Sequence, residues 1–178
     1  CKLKRRNLDL VAGDDVRIEH HAGDDEWTVV ERLPRRNVLC RSDSRGRSES
    51  LAANLDQLGV VIAPRPACDP FIVDRYLAGA ERAGIAALLI VNKQDLPAEA
   101  DDLSFLAPLR AMGLPVVSVS ARTGTGLDEL VARLSGRRSL LAGQSGVGKS
   151  SLLNALAGEA LRATGHLSTG SGEGRHTT

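Results

Sequence analysis

Ser139–Leu156 reads SLLAGQSGVGKSSLLNAL, and the fold is decided by this stretch. Leu140, Leu141 and Ala142 have the apolar character of a buried strand end. Gly143-Gln144-Ser145-Gly146-Val147-Gly148-Lys149-Ser150 forms a glycine-rich turn, and Leu152, Leu153, Leu156 and Ala157 then recur at helical spacing. Strand, loop and helix in this order are the context that a phosphate-binding P-loop requires. Its backbone N–H groups must close round an anion, so Cβ atoms are excluded where the loop turns most tightly. The helix beginning near Lys149 directs its positive end at the phosphates. Lys149 is expected to reach the β- and γ-phosphates, and the Ser150 hydroxyl to coordinate Mg²⁺, with Ser151 beside it in the nucleotide-binding set. This loop alone does not choose between ATP and GTP.

Upstream, strand and helix alternate. Leu58–Ala63 (LGVVIA) reads as a buried strand. Asp69 and Pro70 are an N-cap and a first helical residue. Ile72, Val73, Tyr76, Leu77 and Ala80 then form an apolar stripe that ends near Gly84. Ile85–Val91 is a second buried strand. A helix is expected from about Asp102 to Met112, and a strand over Val116–Val119. A helix over Leu127–Leu134 follows, with Thr125 and Asp128 as its capping box. Alternation over residues 55–157 predicts an α/β fold, a doubly wound parallel sheet flanked by helices.

Two short motifs sit at strand ends, where such sheets bind ligands. Asn92-Lys93-Gln94-Asp95 follows the second buried strand. The Asp95 carboxylate can accept from guanine N1–H and the 2-amino group, donors that adenine lacks on that edge. The Lys93 stem can lie over the base, and Asn92 can tie neighbouring loops together. Ser120-Ala121 ends the next strand and offers a backbone N–H to guanine O6. With all three motifs at strand ends, GTP is favoured over ATP. The order is unusual: base recognition precedes the phosphate loop, and the turn Gly136–Arg138 joins what is ordinarily the last helix to the ordinary first strand. This is the order of a circularly permuted GTPase, a rearrangement that closely placed termini make easy.

With these motifs the chain resembles the ribosome small-subunit-dependent GTPase A (RsgA) family. The resemblance is carried by AANLDQ (52–57), DRYL (74–77), VNKQDL (91–96), GQSGVGKSS (143–151) and GRHTT (174–178). It implies a GTP-hydrolysing assembly factor for the small ribosomal subunit that binds rRNA and cycles between GTP and GDP states. It also implies an N-terminal OB-fold. The family's Asp-x-x-Gly motif, its second switch and a zinc-binding Cys/His domain are expected beyond Thr178, so no Zn²⁺ ligand is assigned here. The chain is accordingly expected to be a fragment of a longer protein, its P-loop strand lacking one neighbour. A monomer in the cytoplasm is expected. The alternative is a nucleotide-regulated RNA-binding module with negligible hydrolysis of its own.

Aromatic residues make up only 2% of the 178, so the core must be Leu, Val, Ile and Ala, which suits a covered parallel sheet. No run is long and apolar enough to span a membrane. The charged opening at Cys1 lacks the pattern of a secretory leader, and further chain is expected before it. Cys1, Cys40 and Cys68 have no metal-ligand spacing and read as reduced thiols.

The division expected is a small OB-fold-like β-barrel over 1–47 and the permuted GTPase domain over 48–178. Val16–Ile18, Trp27–Val29 and Val38–Cys40 are short strand candidates, and 41–52 reads as a linker or loop. Arg/Lys clusters at Lys2–Arg6, Arg32–Arg36 and Arg41–Arg47 read either as solvated surface or as a phosphate-contacting face. Trp27 reads either as core or as a base-stacking platform.

Ala163–Thr178, rich in Gly, Ser and Thr, lies where a first switch belongs. Thr177 and Thr178 are candidates for completing the Mg²⁺ shell. His176 is the candidate for orienting or deprotonating the attacking water, since its ordinary pKa lies near neutrality. The other reading of His176 is a surface histidine that docks the loop on RNA.

Overall fold

The computed structural model describes residues 2–3, 9–20, 26–42, 46–97 and 103–168. Five short strands come first: β1 (Lys2–Leu3), β2 (Val16–Glu19), β3 (Thr28–Arg32), β4 (Val38–Ser42) and β5 (Ser48–Ala53). One small sheet has the order β1-β3-β2, and β4 and β5 pair as an antiparallel hairpin. An isolated bridge, Ala12 to Ala52, touches the hairpin from the chain preceding β2. The expectation of a linker over 41–52 is therefore corrected, since Ser48–Ala53 is strand. Its first two residues, Ser48 and Glu49, are the exposed end, while Ala52 and Ala53 are buried. Polar composition reported the solvent end of a strand, not the absence of one.

The parallel sheet follows, built from β6 (Gln57–Ile62), α1 (Pro70–Arg82), β7 (Ala86–Val91), α2 (Leu106–Ala111), β8 (Val116–Ser118), α3 (Leu127–Leu134), β9 (Ser139–Ala142) and α4 (Lys149–Ser168). Its order is β8-β7-β6-β9, all parallel. Every residue of β6 is buried, as a strand paired on both sides and covered on both faces must be. By contrast β9, at the sheet edge, is half-buried throughout.

Alternation along the strands divides the core into two layers. Leu58, Val60, Ile62, Leu89 and Val91 pack with Val73 and Ala80 of α1 and Leu106 of α2. Leu39 and Ala52 of the hairpin join the same layer. Val61, Leu88 and Ile90 face the other way, onto Leu127 and Leu130 of α3 and Leu152 of α4. This is the doubly wound arrangement expected.

α1 begins as expected, with Asp69 accepting from Phe71 N at 3.0 Å and Pro70 in the first turn. α2 is shorter than expected: residues 103–105 are turn, and no side chain caps its start. The Thr125/Asp128 capping box is not formed. The N-cap of α3 is Gly126 at φ 73°, where a Cβ would stand 2.2 Å from Ser118 O, and Thr125 Oγ1 instead shares a 2.9 Å hydrogen bond with Thr123 Oγ1. The chain must pass so close to the end of β8 that glycine takes the cap position.

A polar joint ties the first strands to the amino end of the sheet. Arg35 clasps Asp14 through Nε–Oδ1 (2.6 Å) and Nη2–Oδ2 (2.8 Å), with side chains only 10% and 3% exposed. Arg36 Nη2 donates to Asp56 Oδ1 at 3.0 Å, and Asp56 Oδ2 accepts from the Arg138 backbone N–H at 2.8 Å. Arg138 Nη2 reaches Asp15 Oδ1 at 2.9 Å. Arg35 and Arg36, expected as surface or phosphate-contacting charge, thus have structural partners, and Arg35 is too enclosed to meet a backbone phosphate.

Candidate nucleotide-binding site

The loops leaving β7, β8 and β9 meet at the carboxyl end of the sheet. Asn92, only 1% exposed, holds them together. Its Nδ2 donates to Val147 O at 3.0 Å, and its Oδ1 accepts from the Ala121 backbone N–H at 3.1 Å. One buried amide therefore links all three expected motifs, which is the tie that the residue type predicted.

The same tie explains a glycine. A Cβ on Gly148, at φ 91°, would stand 2.5 Å from Asn92 Nδ2. Gly143, at φ 146°, passes so close to β6 that a Cβ would lie 2.2 Å from Val61 O. The backbone between them is thereby free to close round an anion. Val147 is buried in the core layer that faces α3 and α4 and anchors the loop there. Ser145 and Gly146 form the exposed crest, and Ser150 and Ser151 are exposed in the first turn of α4. Lys149 Nζ donates to Gly143 O at 2.9 Å and Gln144 O at 2.7 Å, so its charge sits inside the loop. Gln144 Oε1 is buried and has no hydrogen-bond partner among the described residues.

Lys93 adopts φ 63°, and its Nζ donates to Arg65 O (2.8 Å) and Gly146 O (2.7 Å). The Lys93 stem thus spans from the β7 loop to the crest of the P-loop. Gln94 is exposed and takes part through its backbone, its N–H donating to Val119 O at 3.1 Å. Asp95 Oδ1 accepts from the Ser120 hydroxyl, and Oδ2 accepts from Arg122 Nε at 2.7 Å. The Ser120 hydrogen bond, then Arg122, hold its carboxyl below the usual carboxylate range. Arg122 was not anticipated; the signal available was its place directly after Ser120-Ala121. A cavity of ≈ 290 Å³ lies between these groups, lined by Asn92, Lys93, Asp95, Ala121, Arg122 and Gly148 among others.

His176, Thr177 and Thr178 lie outside the described residues. Mg²⁺ fits the donor set that is described: the Ser150 hydroxyl is exposed at a helix start beside the glycine-rich backbone loop. Mg²⁺ characteristically takes few protein oxygens and completes its shell from phosphates and water.

A parallel sheet with helices on both faces, a P-loop on its edge strand and the Asn-Lys-x-Asp turn earlier in the chain define a P-loop GTPase fold in circularly permuted order. The comparisons carry this to a family. The RsgA GTPase model matches residues 32–178, and the chain belongs to that family. The small ribosomal subunit biogenesis GTPase RsgA of Pseudomonas fluorescens (strain Pf0-1) is 44% identical over 181 residues, covering 100% of this chain and 52% of the relative. Its counterpart in Pseudomonas aeruginosa (strain LESB58) is also 44% identical, with 53% of that protein covered. The chain thus spans about half the length of the curated relatives it matches. Among solved structures, YjeQ from Thermotoga maritima matches with TM-score 0.66 and 34% identity, over 88% of this chain and 55% of that one. YloQ, a circularly permuted GTPase, matches with TM-score 0.61 and 27% identity, over 88% of this chain and 53% of that one.

Proposed function

We propose that the chain binds GTP and GDP with Mg²⁺ and forms the nucleotide-hydrolysing part of an assembly factor for the small ribosomal subunit. The observation that carries this is the Asn92 tie, which joins the Asn-Lys-x-Asp turn, the Ser120-Ala121 loop and the glycine-rich loop beside one cavity lined by Asp95 and Gly148. Gly143–Ser150 would wrap the phosphates, Lys149 would turn to the β- and γ-phosphates, and Ser150 would contribute the protein oxygen to Mg²⁺. Asp95 would read the guanine edge; the Ala121 N–H, expected to meet guanine O6, is instead donated to Asn92 Oδ1 and would reach O6 only by leaving it. Mg²⁺, when bound, neutralises charge on the β- and γ-phosphate oxygens. Thr177 and Thr178 are proposed to complete its shell, and His176 to orient or deprotonate the attacking water when the partner is engaged.

The N-terminal strands are proposed to belong to a small OB-fold-like barrel that contacts rRNA, within a cytoplasmic monomer. Among the described residues no helix is long and apolar enough to cross a membrane. Nucleotide competition and single-turnover hydrolysis, each with and without small subunits, test the reading. GTP and GDP should displace a fluorescent guanine nucleotide that ATP in about hundredfold excess does not, since adenine offers Asp95 no matching donors. His176→Ala should keep GTP affinity and lose most subunit-stimulated hydrolysis. Equal displacement by ATP would overturn the base reading, and normal stimulated turnover in His176→Ala would remove the catalytic role.

A further inference from the structure

Asp95 has a competitor for its own ligand. Guanine presents to a carboxylate the edge N1–H, C2, N2–H₂, which is a guanidine fragment. An arginine side chain presents the same donors in the same planar spacing. Arg122 Nε donates to Asp95 Oδ2 at 2.7 Å, while Ser120 takes Oδ1 and fixes the carboxylate's orientation. Asp95 is 10% exposed and Arg122 is 73% exposed, so the arginine reaches in from solvent to an otherwise enclosed group. Both line the cavity that holds Asn92 and Gly148.

We propose that Arg122 is a specificity-positioning residue that competes with guanine for Asp95, its Nε–H occupying one of the two carboxylate oxygens the base edge would take and giving way on binding. This rests on the guanine-nucleotide reading of the site. Two consequences follow from the geometry. A base without paired donors on that edge cannot displace the guanidinium, so Arg122 sharpens selection for guanine. As guanine leaves, Arg122 takes over the carboxylate, so the nucleotide is held less tightly than the cavity alone would hold it. The arginine is well placed for this exchange because its charge remains solvated in either position.

The test measures GDP affinity by displacement of a fluorescent analogue, using the full chain with Arg122→Ala and Arg122→Gln. Both substitutions lie at an exposed side chain, and matching thermal melts confirm that the variants are folded. Each should bind GDP about two- to five-fold more tightly than wild type, the range for losing an exposed ion pair. The gain should shrink at about 0.5 M KCl, where such a pair is screened. In an Asp95→Asn background, probed with the xanthine nucleotide XDP, Arg122→Ala should change affinity little because no carboxylate remains to compete for. Unchanged or weaker GDP binding by both variants would overturn the competition, as would a gain that persists beside Asn at position 95. The underlying site is checked separately by Lys149→Ala and Asp95→Asn. If these leave GDP binding intact, the nucleotide-site reading fails; if they weaken it while the Arg122 variants give no gain, only the competition fails.

Discussion

The two ends of the parallel sheet are both polar, yet they are built by opposite means. At the carboxyl end, one buried neutral amide, Asn92, ties the loops. Asp95 lines a cavity there, and Lys149 lies inside the glycine-rich loop, bonded to the carbonyls of Gly143 and Gln144. At the amino end, Asp14, Asp15, Asp56, Arg35, Arg36 and Arg138 bond one another and the intervening backbone, and join the first strands to β6 and β9. A neutral tie leaves Asp95 and Lys149 out of the joining contacts, held instead by Ser120, Arg122 and loop carbonyls. A joint made of charges satisfies them internally. On the proposed reading one end serves recognition and the other assembly, and substitutions should separate the two.

The largest effect is expected at the recognition end. Lys149→Ala should lower GTP and GDP affinity about hundredfold, because a charge-assisted contact to phosphate is lost. Titration calorimetry would read this, and unfolding without nucleotide should be unchanged. Wild-type affinity would reduce the P-loop to an ordinary turn.

Next comes the enclosed pair of the joint. Arg35→Ala leaves the Asp14 carboxylate enclosed without its fork and should cost about 2 kcal/mol in urea unfolding, with nucleotide affinity retained if the protein folds. The sign of its pH dependence follows from linkage. The Arg35 hydrogen bond holds Asp14 below its ordinary value of 3.8. A lowered folded pKa gives stability that is fully present above the unfolded value and is lost as pH falls through the folded one. The gap between wild type and Arg35→Ala should therefore be constant near neutrality and close below about pH 4. A gap that stays open in acid would mean that Arg35 acts by packing alone.

How much of this could be read beforehand differs between the ends for the same reason. The carboxyl end was legible because its residues follow one another in short runs whose chemistry is local: Gly143–Ser150, Asn92–Asp95, Ser120-Ala121. The amino end was not, because Asp14 meets Arg35 across 21 positions and Arg138 meets Asp15 across 123, and neither separation leaves a pattern in sequence. The parallel strands announced themselves as continuous apolar runs. β5 did not, since its exposed end is Ser48 and Glu49 in a polar surrounding. The Thr125/Asp128 capping signal was present but lost to the close passage of Gly126 against Ser118. Arg122 escaped notice because an exposed arginine after a loop motif has no distinguishing spacing.

A smaller effect is expected at Asp95. Asp95→Asn exchanges an acceptor for a donor facing the 2-position of the purine. The preference for GTP over XTP should fall by about tenfold or more, scored by competition between the two nucleotides. A preference left at the wild-type ratio would place base selection elsewhere in the cavity.

The smallest effect should come from Arg138, and it probes the comparison most directly. Arg138 stands immediately before β9, and its side chain bonds Asp15 Oδ1 at 2.9 Å and Oδ2 at 3.2 Å. Both side chains are about half exposed, 50% and 46%, so water and salt screen the pair. Arg138→Ala keeps the backbone N–H that Asp56 accepts, so only the side-chain contacts are lost. The Tm should fall by at most about 3 °C, and the difference should vanish by about 0.5 M KCl. GDP affinity is the sharper reading. Only the four residues of β9 separate Arg138 from Gly143, a span of about 16 Å at strand rise. If the joint serves assembly alone, GDP binds Arg138→Ala as it binds wild type. A changed affinity with an unchanged melt would show that β9 carries strain from the joint to the phosphate loop, and the division between a recognition end and an assembly end would not hold.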